Sequence, residues 1–552
     1  MKDRKTGVLA RRAAALLALA SLAACADLEA GTDPLSPEVG GPSLATSPGS
    51  PSYTTSTVGA VSRPGTGYLA NAGTTCTRYV STSGSDGNAG TSSSAPWATV
   101  AKALATVDNG AVVCVAPGTY SARKGETAFN GTETQPIVLR KTPGATGDVV
   151  LSAIADDPPI VISKDYWIVQ DIEIDMNDRP DNGLRVDSAA NYVTIRRVEV
   201  HSSAAGAAVS VRGNDVLIDD VEIHDNFRAD GQDDHGIVIR EAAARVTVRN
   251  SRLWDNGGDG VQCEDYSGGA YEPYDIWLED NRIWTSSAAQ GQTENAVDIK
   301  NCRRVSIRGT VSPAANASDR AGNKFYGFRA RSNGTSEGAA IVIHYSANSV
   351  LVENTRIWDS CTGIAVGRGE DTSPIVQDLS IRRNVIFRLV SNSATGCKGD
   401  GIRISRADRV DIFHNTLDSI PRSAFRIGGD NTVSDPMDDV DVWNNIVRKA
   451  TVWMDVNLPK VNDFASNNNL FWNSSTDLSN FRLNGTDMSR STWNANTGAD
   501  GSSIVADPLF VADPLNNDYY TQSTSPARDV ARDNTSSPYG GSGPDIGFLE
   551  TY

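Results

Sequence analysis

The sequence predicts an all-β solenoid: a single-stranded right-handed parallel β-helix with an N-terminal capping helix. Three observations carry this expectation. A short strand-like segment recurs nine times along the 552 residues. A second segment ending in asparagine recurs between copies of the first, with a unit of about 23 to 38 residues, the spacing of solenoid repeats. Neither segment shows the apolar period of a helical repeat, which is about 3.6 residues.

The first segment reads Gly183-Leu-Arg-Val, Ala208-Val-Ser-Val, Gly236-Ile-Val-Ile, Gly260-Val-Gln-Cys, Ala296-Val-Asp-Ile, Ala340-Ile-Val-Ile, Gly363-Ile-Ala-Val, Gly401-Ile-Arg-Ile and Ala424-Phe-Arg-Ile. A small residue opens each copy and apolar residues alternate with variable ones, the pattern of a strand with one buried face. The second segment reads Val246-Thr-Val-Arg-Asn250, Ile276 to Asn281, Val350 to Asn354, Leu379 to Asn384, Val410 to Asn415 and Val440 to Asn445. Asparagine tolerates unusual backbone angles and bonds the backbone at tight turns, so these residues are read as one structural corner column. Their amides can hydrogen-bond as a ladder when coils stack.

The first residues address the chain for export. Lys2, Arg4, Lys5, Arg11 and Arg12 precede the apolar run Ala13 to Ala24, which is a signal core and too short for a membrane span. Leu22-Ala-Ala-Cys25 resembles the lipobox of bacterial lipoproteins, which implies that Cys25 carries a lipid and becomes the mature N-terminus. An ordinary signal peptide is the alternative. Residues 26–75 are rich in Pro, Ser, Gly and Thr and read as a disordered tether; residues 76–552 are the β-helix domain. The expected location is the bacterial cell envelope, with membrane contact only through the anchor, or the secreted pool.

Sixty-seven acidic residues against 50 basic ones give a net charge of −17, which argues against a nucleic-acid partner. Of seven cysteines, setting Cys25 aside leaves an even number in an oxidising compartment. Cys76 and Cys114 lie on apparent adjacent strands and are the preferred disulfide. Cys263 with Cys302 and Cys361 with Cys397 lie about one coil apart and could pair likewise; sequence does not fix their connectivity, and free buried thiols are the alternative.

At the N-terminal side, Tyr79 to Gly87, Pro96 to Val107 and Asn109 to Tyr120 read as strand, capping helix and first coil. This succession resembles extracellular β-helix proteins including polysaccharide lyase family nine. Ala506 to Phe510, Ser525 to Asp529 and Asp545 to Glu550 resemble the closing segments of the same superfamily.

Stacking the first segments places Arg185, Ser210, Val238, Gln262, Asp298, Val342, Ala365, Arg403 and Arg426 in one outward column, and Asp187, Arg212, Arg240, Glu264, Lys300, His344, Gly367 and Ser405 in the next. Asp234, His235, Asp259, Glu294 and Asp400 precede the strands. Glu294-Asn-Ala-Val-Asp298-Ile-Lys300 is similar to the calcium-binding strand of family-one pectate lyases, and Asp259-Gly-Val resembles another ligand segment there. That resemblance implies a Ca2+ site at Asp259, Glu264, Glu294 and Asp298, with Lys300 or Arg240 as the base of a β-elimination. Asp234, His235, Arg212, His344 and Arg403 are the expected substrate contacts. The arginine motif of family one and the lysine strand of family nine are not matched. Without metal, Lys300 reads as the centre of a salt-bridge ladder, its pKa raised by its acidic neighbours.

The expected function is a calcium-dependent lyase acting on an acidic polysaccharide as a monomer. Two alternatives stay open: a carbohydrate-binding or surface protein without catalysis, and a glycoside hydrolase using Asp233, Asp234 and Asp259. Trp254, Trp284 and Trp358 recur in second-type strands and read as stacked packing rather than sugar platforms. The long connections from Val311 to Gly338 and from Glu370 to Val376 are expected beside the charged strands.

Overall fold

The computed structural model describes residues 73–552 except 205, 229–231, 266–271, 311–321, 332–333, 369–374, 475–479, 512–518, 533–542 and 549–552. Cys25, the signal and nearly all of the tether lie outside the described residues, as does most of the Glu370–Val376 connection. No helix among the described residues is long and apolar enough to cross a membrane.

Strands from successive coils pair in parallel along three columns, and the antiparallel Phe481–Leu483 with Thr486–Met488 is a local exception. The first column holds the strands read from sequence: Leu184–Val186, Ala207–Val211, His235–Arg240, Val261–Glu264, Val297–Lys300, Ala339–His344, Thr362–Val366 and Asp400–Ile404. Their register matches the expected stack, with Ser210 beside Arg185 and Val238, Gln262 beside Asp298, and Lys300 beside His344. The second column includes Ala244–Arg249, Tyr274–Glu279, Arg303–Arg308, Asn348–Glu353, Val376–Arg382 and Ala407–Phe413.

The third column was not distinguished in the sequence. Its strands are short, among them Arg252–Trp254, Arg282–Trp284, Asn323–Tyr326 and Thr355–Trp358. Trp254, Trp284 and Trp358 belong here, not to the second column. The strand Asn323–Tyr326 lies inside what reads as a long connection, and its inward residue is Phe325, fully buried.

Inward Val, Ile and Leu of all three columns form one core running from Val80 to Trp493. The small residue opening the first-column strands answers a close approach. A Cβ on Gly260 would lie 2.4 Å from Ile283 Cγ2 and 2.8 Å from the Ala296 carbonyl oxygen of the next coil. The five-residue helix Val100–Leu104 covers the N-terminal end, capped by the Thr99 hydroxyl on the Lys102 amide. Phe510, Tyr519, Ala527 and Ile546 of the closing segments pack outside the coils on Val385, Phe387, Ile446 and Leu470.

The amide ladder exists, displaced by one residue at two places. Asn384, Asn415, Asn445 and Asn469 are fully buried; each donates from Nδ2 to the next rung's Oδ1 or, at Asn469, to Asp500. Asn250 and Asn354 stand one position earlier, at the left-handed residue of the turn (φ 53° and 50°), level with Asp280 and Arg383. Ser251 and Thr355 occupy the ladder column there, and their backbone amides donate to Asn281 and Asn384. Asparagine suits both the left-handed residue and the rung, which is why the pattern alone merges them.

All three disulfides form: Cys76–Cys114, Cys263–Cys302 and Cys361–Cys397. Outside the third column His201, His224, Trp254, Trp284, Tyr326, Trp358 and Phe387 stack ring on ring, with centroids 4.1 to 6.0 Å apart. The ring faces cover one another, as the packing reading requires.

Candidate functional site

Charged and amide side chains of the middle coils gather on the outer face of the first column. Parallel pairing sets successive coils about 4.8 Å apart, so residues in register meet directly. The structure places all the expected residues on this face but divides the four carboxylates into two groups.

One group lies at the corner where the strands begin. Ligand atoms of His235, Asp259 and Glu294 lie within 4.8 Å of one another, and all three residues are buried. The Asp259 amide donates to His235 Nδ1 at 2.9 Å, and Asp259 Oδ2 lies 3.2 Å from the same nitrogen. One nitrogen cannot accept from the amide and donate to the carboxylate together, so the contact made depends on the ring's proton. Burial opposes charge on His235, yet the Asp259 hydrogen bond and the negative charges of Asp259, Glu294 and Asp233 hold its pKa above the ordinary value. Asn295 Nδ2 donates to Asp259 Oδ1 at 2.8 Å and Gln262 Nε2 to Oδ2 at 3.1 Å. Glu294 Oε1 lies 3.0 Å from Arg331 Nη1 and accepts from Thr335 Oγ1 at 3.1 Å. Burial, with Asp259 and Asp233 beside it, pushes Glu294 up to about 7 against the pull of Arg331.

The other group lies farther along the strands. Lys300 Nζ is 3.4 Å from Asp298 Oδ2 and 3.6 Å from Glu264 Oε2, and His344 Nε2 is 2.9 Å from Asp298 Oδ1. Burial works against the Lys300 charge, but Asp298, Asp259 and Glu264 outweigh it and raise the pKa, so the ammonium holds its proton. Burial likewise acts to raise Asp298, and His344 and Lys300 bring it below the usual range. Glu264 is raised by burial despite Lys300. Arg240, next in the column, is lowered by burial and by Arg212.

The remaining expected contacts sit around these groups. Asp234 is fully buried with Arg228 Nε at 2.8 Å, whereas neighbouring Asp233 is half-buried and pairs with Arg331. The two aspartates therefore face different surroundings. Arg212 pairs with Glu241 at 3.1 Å. Arg403 pairs with Glu337 and lies 3.6 Å from Asp430, two coils beyond His344.

The segment from Phe328 to Gly338, part of a connection expected beside the charged strands, supplies contacts at the corner that the sequence did not indicate. Arg331 joins Asp233 to Glu294, the Ser336 hydroxyl reaches Asn295 at 3.3 Å, and Glu337 holds Lys398 and Arg403. Arg331 stands 98 residues from Asp233 in a stretch with no repeat, and no sequence signal links them.

A hard cation needs several oxygens not already engaged. Asp259 and Glu294 are occupied by amide, hydroxyl and guanidinium donors. Gln262 Oε1 and Glu264 Oε1 are buried without a hydrogen-bond partner, and Asp298 Oδ1 faces His344 alone at 2.9 Å. Gln262 and Asp298 are in register on adjacent coils and Glu264 lies two residues along from Gln262, so these open oxygens belong to three neighbouring residues, one of them an amide not predicted as a ligand.

No curated protein matches this chain. Among solved structures it is similar to the pectate lyase Pel9A, at 14% identity and TM-score 0.37, over 86% of this chain and 96% of that one. It is also similar to a family-six polysaccharide lyase from Pseudopedobacter saltans, at 12% identity and TM-score 0.44, over 82% and 97% of the two chains. A family GH136 lacto-N-biosidase from Eubacterium ramulus is another, at 12% identity and TM-score 0.37, over 78% and 67%. The family model described as Pel9A-like, right-handed β-helix region matches residues 78–357, which contain every charged group of the corner and of the Lys300 cluster. With three columns of parallel strands and that match over half of its length, the chain belongs to the Pel9A-like right-handed β-helix family.

Proposed function

We propose that this protein is an extracellular polysaccharide lyase that cleaves an acidic, uronate-containing chain by β-elimination on the face between His235 and His344. The observation that supports it most is the Lys300 cluster: a cation ringed by buried carboxylates, beside two buried oxygens that lack hydrogen-bond partners. Unsatisfied buried polar atoms cost about 1–3 kcal/mol each, and here, unlike at the fully bonded pairs Arg245–Asp215 and Arg409–Asp378, they stand beside the half-buried cation Lys300. Membership of the family agrees with this reading, and the three disulfides agree with an oxidising location. In the same proposal Cys25 anchors the protein to the envelope and residues 26–75 hold the helix away from it.

Gln262, Glu264 and Asp298 would hold calcium. Bound there, calcium supplies charge withdrawal from the uronate carboxylate and acidifies the neighbouring carbon-bound proton. Lys300 is the proposed base and Arg240 the alternative. In its ion-paired state Lys300 keeps its proton, so it can accept one only where its carboxylate partners are neutralised. Arg212, His344 and Arg403 line the same face and offer cationic or hydrogen-bonding contacts to successive sugars, with Asp234 and His235 supporting its corner.

The test is incubation of the protein with pectate, alginate and acidic glycosaminoglycans, with calcium or with chelator, following ultraviolet absorbance from unsaturated uronate ends. A calcium-dependent rise that falls about 10²- to 10⁴-fold in Lys300→Ala supports the proposal. Reducing ends without absorbance would assign the protein to hydrolysis instead. Retention on a polysaccharide column with neither product would make it a binding protein.

A further inference from the structure

The outer faces of the second and third columns arrange charge in two different ways. On the second column one in-register row reads Arg196, Asp219, Arg249, Glu279, Arg308 and Glu353 on successive coils, alternating in sign. Every charge there faces its opposite on a neighbouring coil. Arg249 meets Asp219 at 3.0 Å and Arg308 meets Glu353 at 3.3 Å. Coil stacking by itself accounts for that row.

The first outward row of the third column is sorted by sign instead. Glu173, Glu199 and Glu222 stand in register on three coils. Arg252, Arg282, Lys324 and Arg356 follow them on the next four. Like charges directly opposite one another destabilise a sheet, and here four cations stack at coil spacings of about 4.8 Å. At the junction Arg252 pairs with Glu222. Arg282 has no carboxylate partner among the described residues. Its Nε and Nη2 donate to the Tyr326 hydroxyl, and its guanidinium carbon lies 4.8 Å from the Trp284 ring centroid and 5.4 Å from that of Tyr326. The aromatic row thus holds the cation in place without neutralising it.

The end of the row is covered. Arg356 is buried, with its guanidinium carbon 5.8 Å from the Phe548 ring centroid. The accessible run is therefore Arg252, whose side chain is 53% exposed, the exposed Arg282 and the half-buried Lys324. A run of cations is a local exception in a chain of net charge −17, and the alternating row shows that coil stacking does not require it.

We propose that Arg252, Arg282 and Lys324 form a second binding surface, apart from the charged face, for an acidic polysaccharide lying along the third column. Anionic groups recur along such a polymer as the cations recur from coil to coil, and a basic stripe attracts it over a distance. Glu199 and Glu222 repel the same polymer, so it is held on the Lys324 side of the junction. The surface shares with the lyase reading only the class of polymer, and it requires no cleavage.

The experiment measures retention of the full chain on immobilised polygalacturonate and alginate in chelator, with Lys300→Ala present to keep the polymer intact. Retention at low salt is expected, with release by about 1 M salt, where charges are screened beyond about 3 Å. The triple variant Arg252→Ala, Arg282→Ala, Lys324→Ala is expected to weaken binding by about 10- to 100-fold. Arg249→Gln, Arg308→Gln, Arg382→Gln removes the same charge from the alternating row and is expected to change it less than about threefold. Thermal melts report whether each variant is folded. A second measurement needs no variant of the stripe: polygalacturonate is expected to shield Arg252 and Arg282 from an arginine-selective dicarbonyl reagent, read by peptide mapping, and neutral dextran is not. No retention on either polymer, binding unaltered in the folded stripe variant, an equal loss in the alternating-row variant, or no shielding would each overturn the proposal. Equal affinity for phosphatidylglycerol vesicles would overturn the choice of a polysaccharide. Retention of the parent chain without unsaturated product would end the lyase reading and leave this surface standing.

Discussion

The amide ladder and the charged face are both stacks of polar side chains on successive coils, yet they solve burial in opposite ways. Asn415 and Asn445 each accept from the backbone amide and side chain of the preceding rung and donate to the next, so an added coil satisfies the last one. The charged face does not extend by repetition. Its column runs Arg240, Glu264, Lys300, His344, and beside it Gln262 and Glu264 keep unbonded buried oxygens. A stack that repeats with its bonds complete is explained by the fold. One that changes residue type at each coil and leaves bonds unmade needs an explanation beyond the fold, such as a bound water or ion.

Three substitutions break or sharpen this contrast. The largest effect is expected at the ladder. Asn415→Ala leaves the Asn384 amide and the Ile381 carbonyl without their partner, and a loss of about 3 kcal/mol is expected in urea unfolding, with activity per folded molecule retained. The charged face should respond in reverse. Glu264→Gln removes a buried charge that burial already disfavours. Its stability is expected to stay within about 1 kcal/mol of the parent, while the calcium needed for half-maximal activity rises about tenfold. If it instead destabilised as much as Asn415→Ala, the contrast would fail.

The smallest effect is expected where a stack repeats one charge. Asp411 lies in register with Asp441 on the second column, and burial together with neighbouring aspartates pushes them up to about 7 and about 6. A carboxyl raised in the folded state contributes stability that is complete below its unfolded pKa, near 4, and is lost as pH rises through the folded value. Thermal melts are therefore expected to fall between about pH 5 and 8. Asp411→Asn is expected to stabilise the protein by about 1 kcal/mol at pH 8 and by nothing measurable at pH 4.

Much of the fold was legible because a two-residue period with one buried face reports strand, facing and register together. The first column and both of its outward rows follow from that period, and Cys76–Cys114 from its two adjacent strands, whereas the other two pairings were not readable from sequence. The third column was not legible: strands such as Arg252–Trp254 bury a single residue, Leu253, too little to establish a period. Asn250 and Asn354 were placed in the ladder because one residue type serves two adjacent positions of the turn. At the site, sequence set these residues along one face and read Lys300 as the centre of a salt-bridge ladder, but gave no sign of Arg331. Glu294 turns to Arg331, which arrives from an unrepeated segment, and Glu264 and Asp298 turn to Lys300. Which oxygen stays free is a matter of side-chain rotation and not of strand register.

The disulfides add a property that no single coil has. A solenoid touches only its neighbours, so it can ravel from either end like knitted cloth, each lost row exposing the next. Cys76–Cys114 fastens the first row to its neighbour, and the pairs at Cys263–Cys302 and Cys361–Cys397 fasten rows on either side of the stretch that carries Arg331. Unravelling that starts at the closing segments must pass two of these clasps before it reaches His235. A protease cut inside any one of the three loops leaves the severed rows joined. The charged face thus lies between fastened rows.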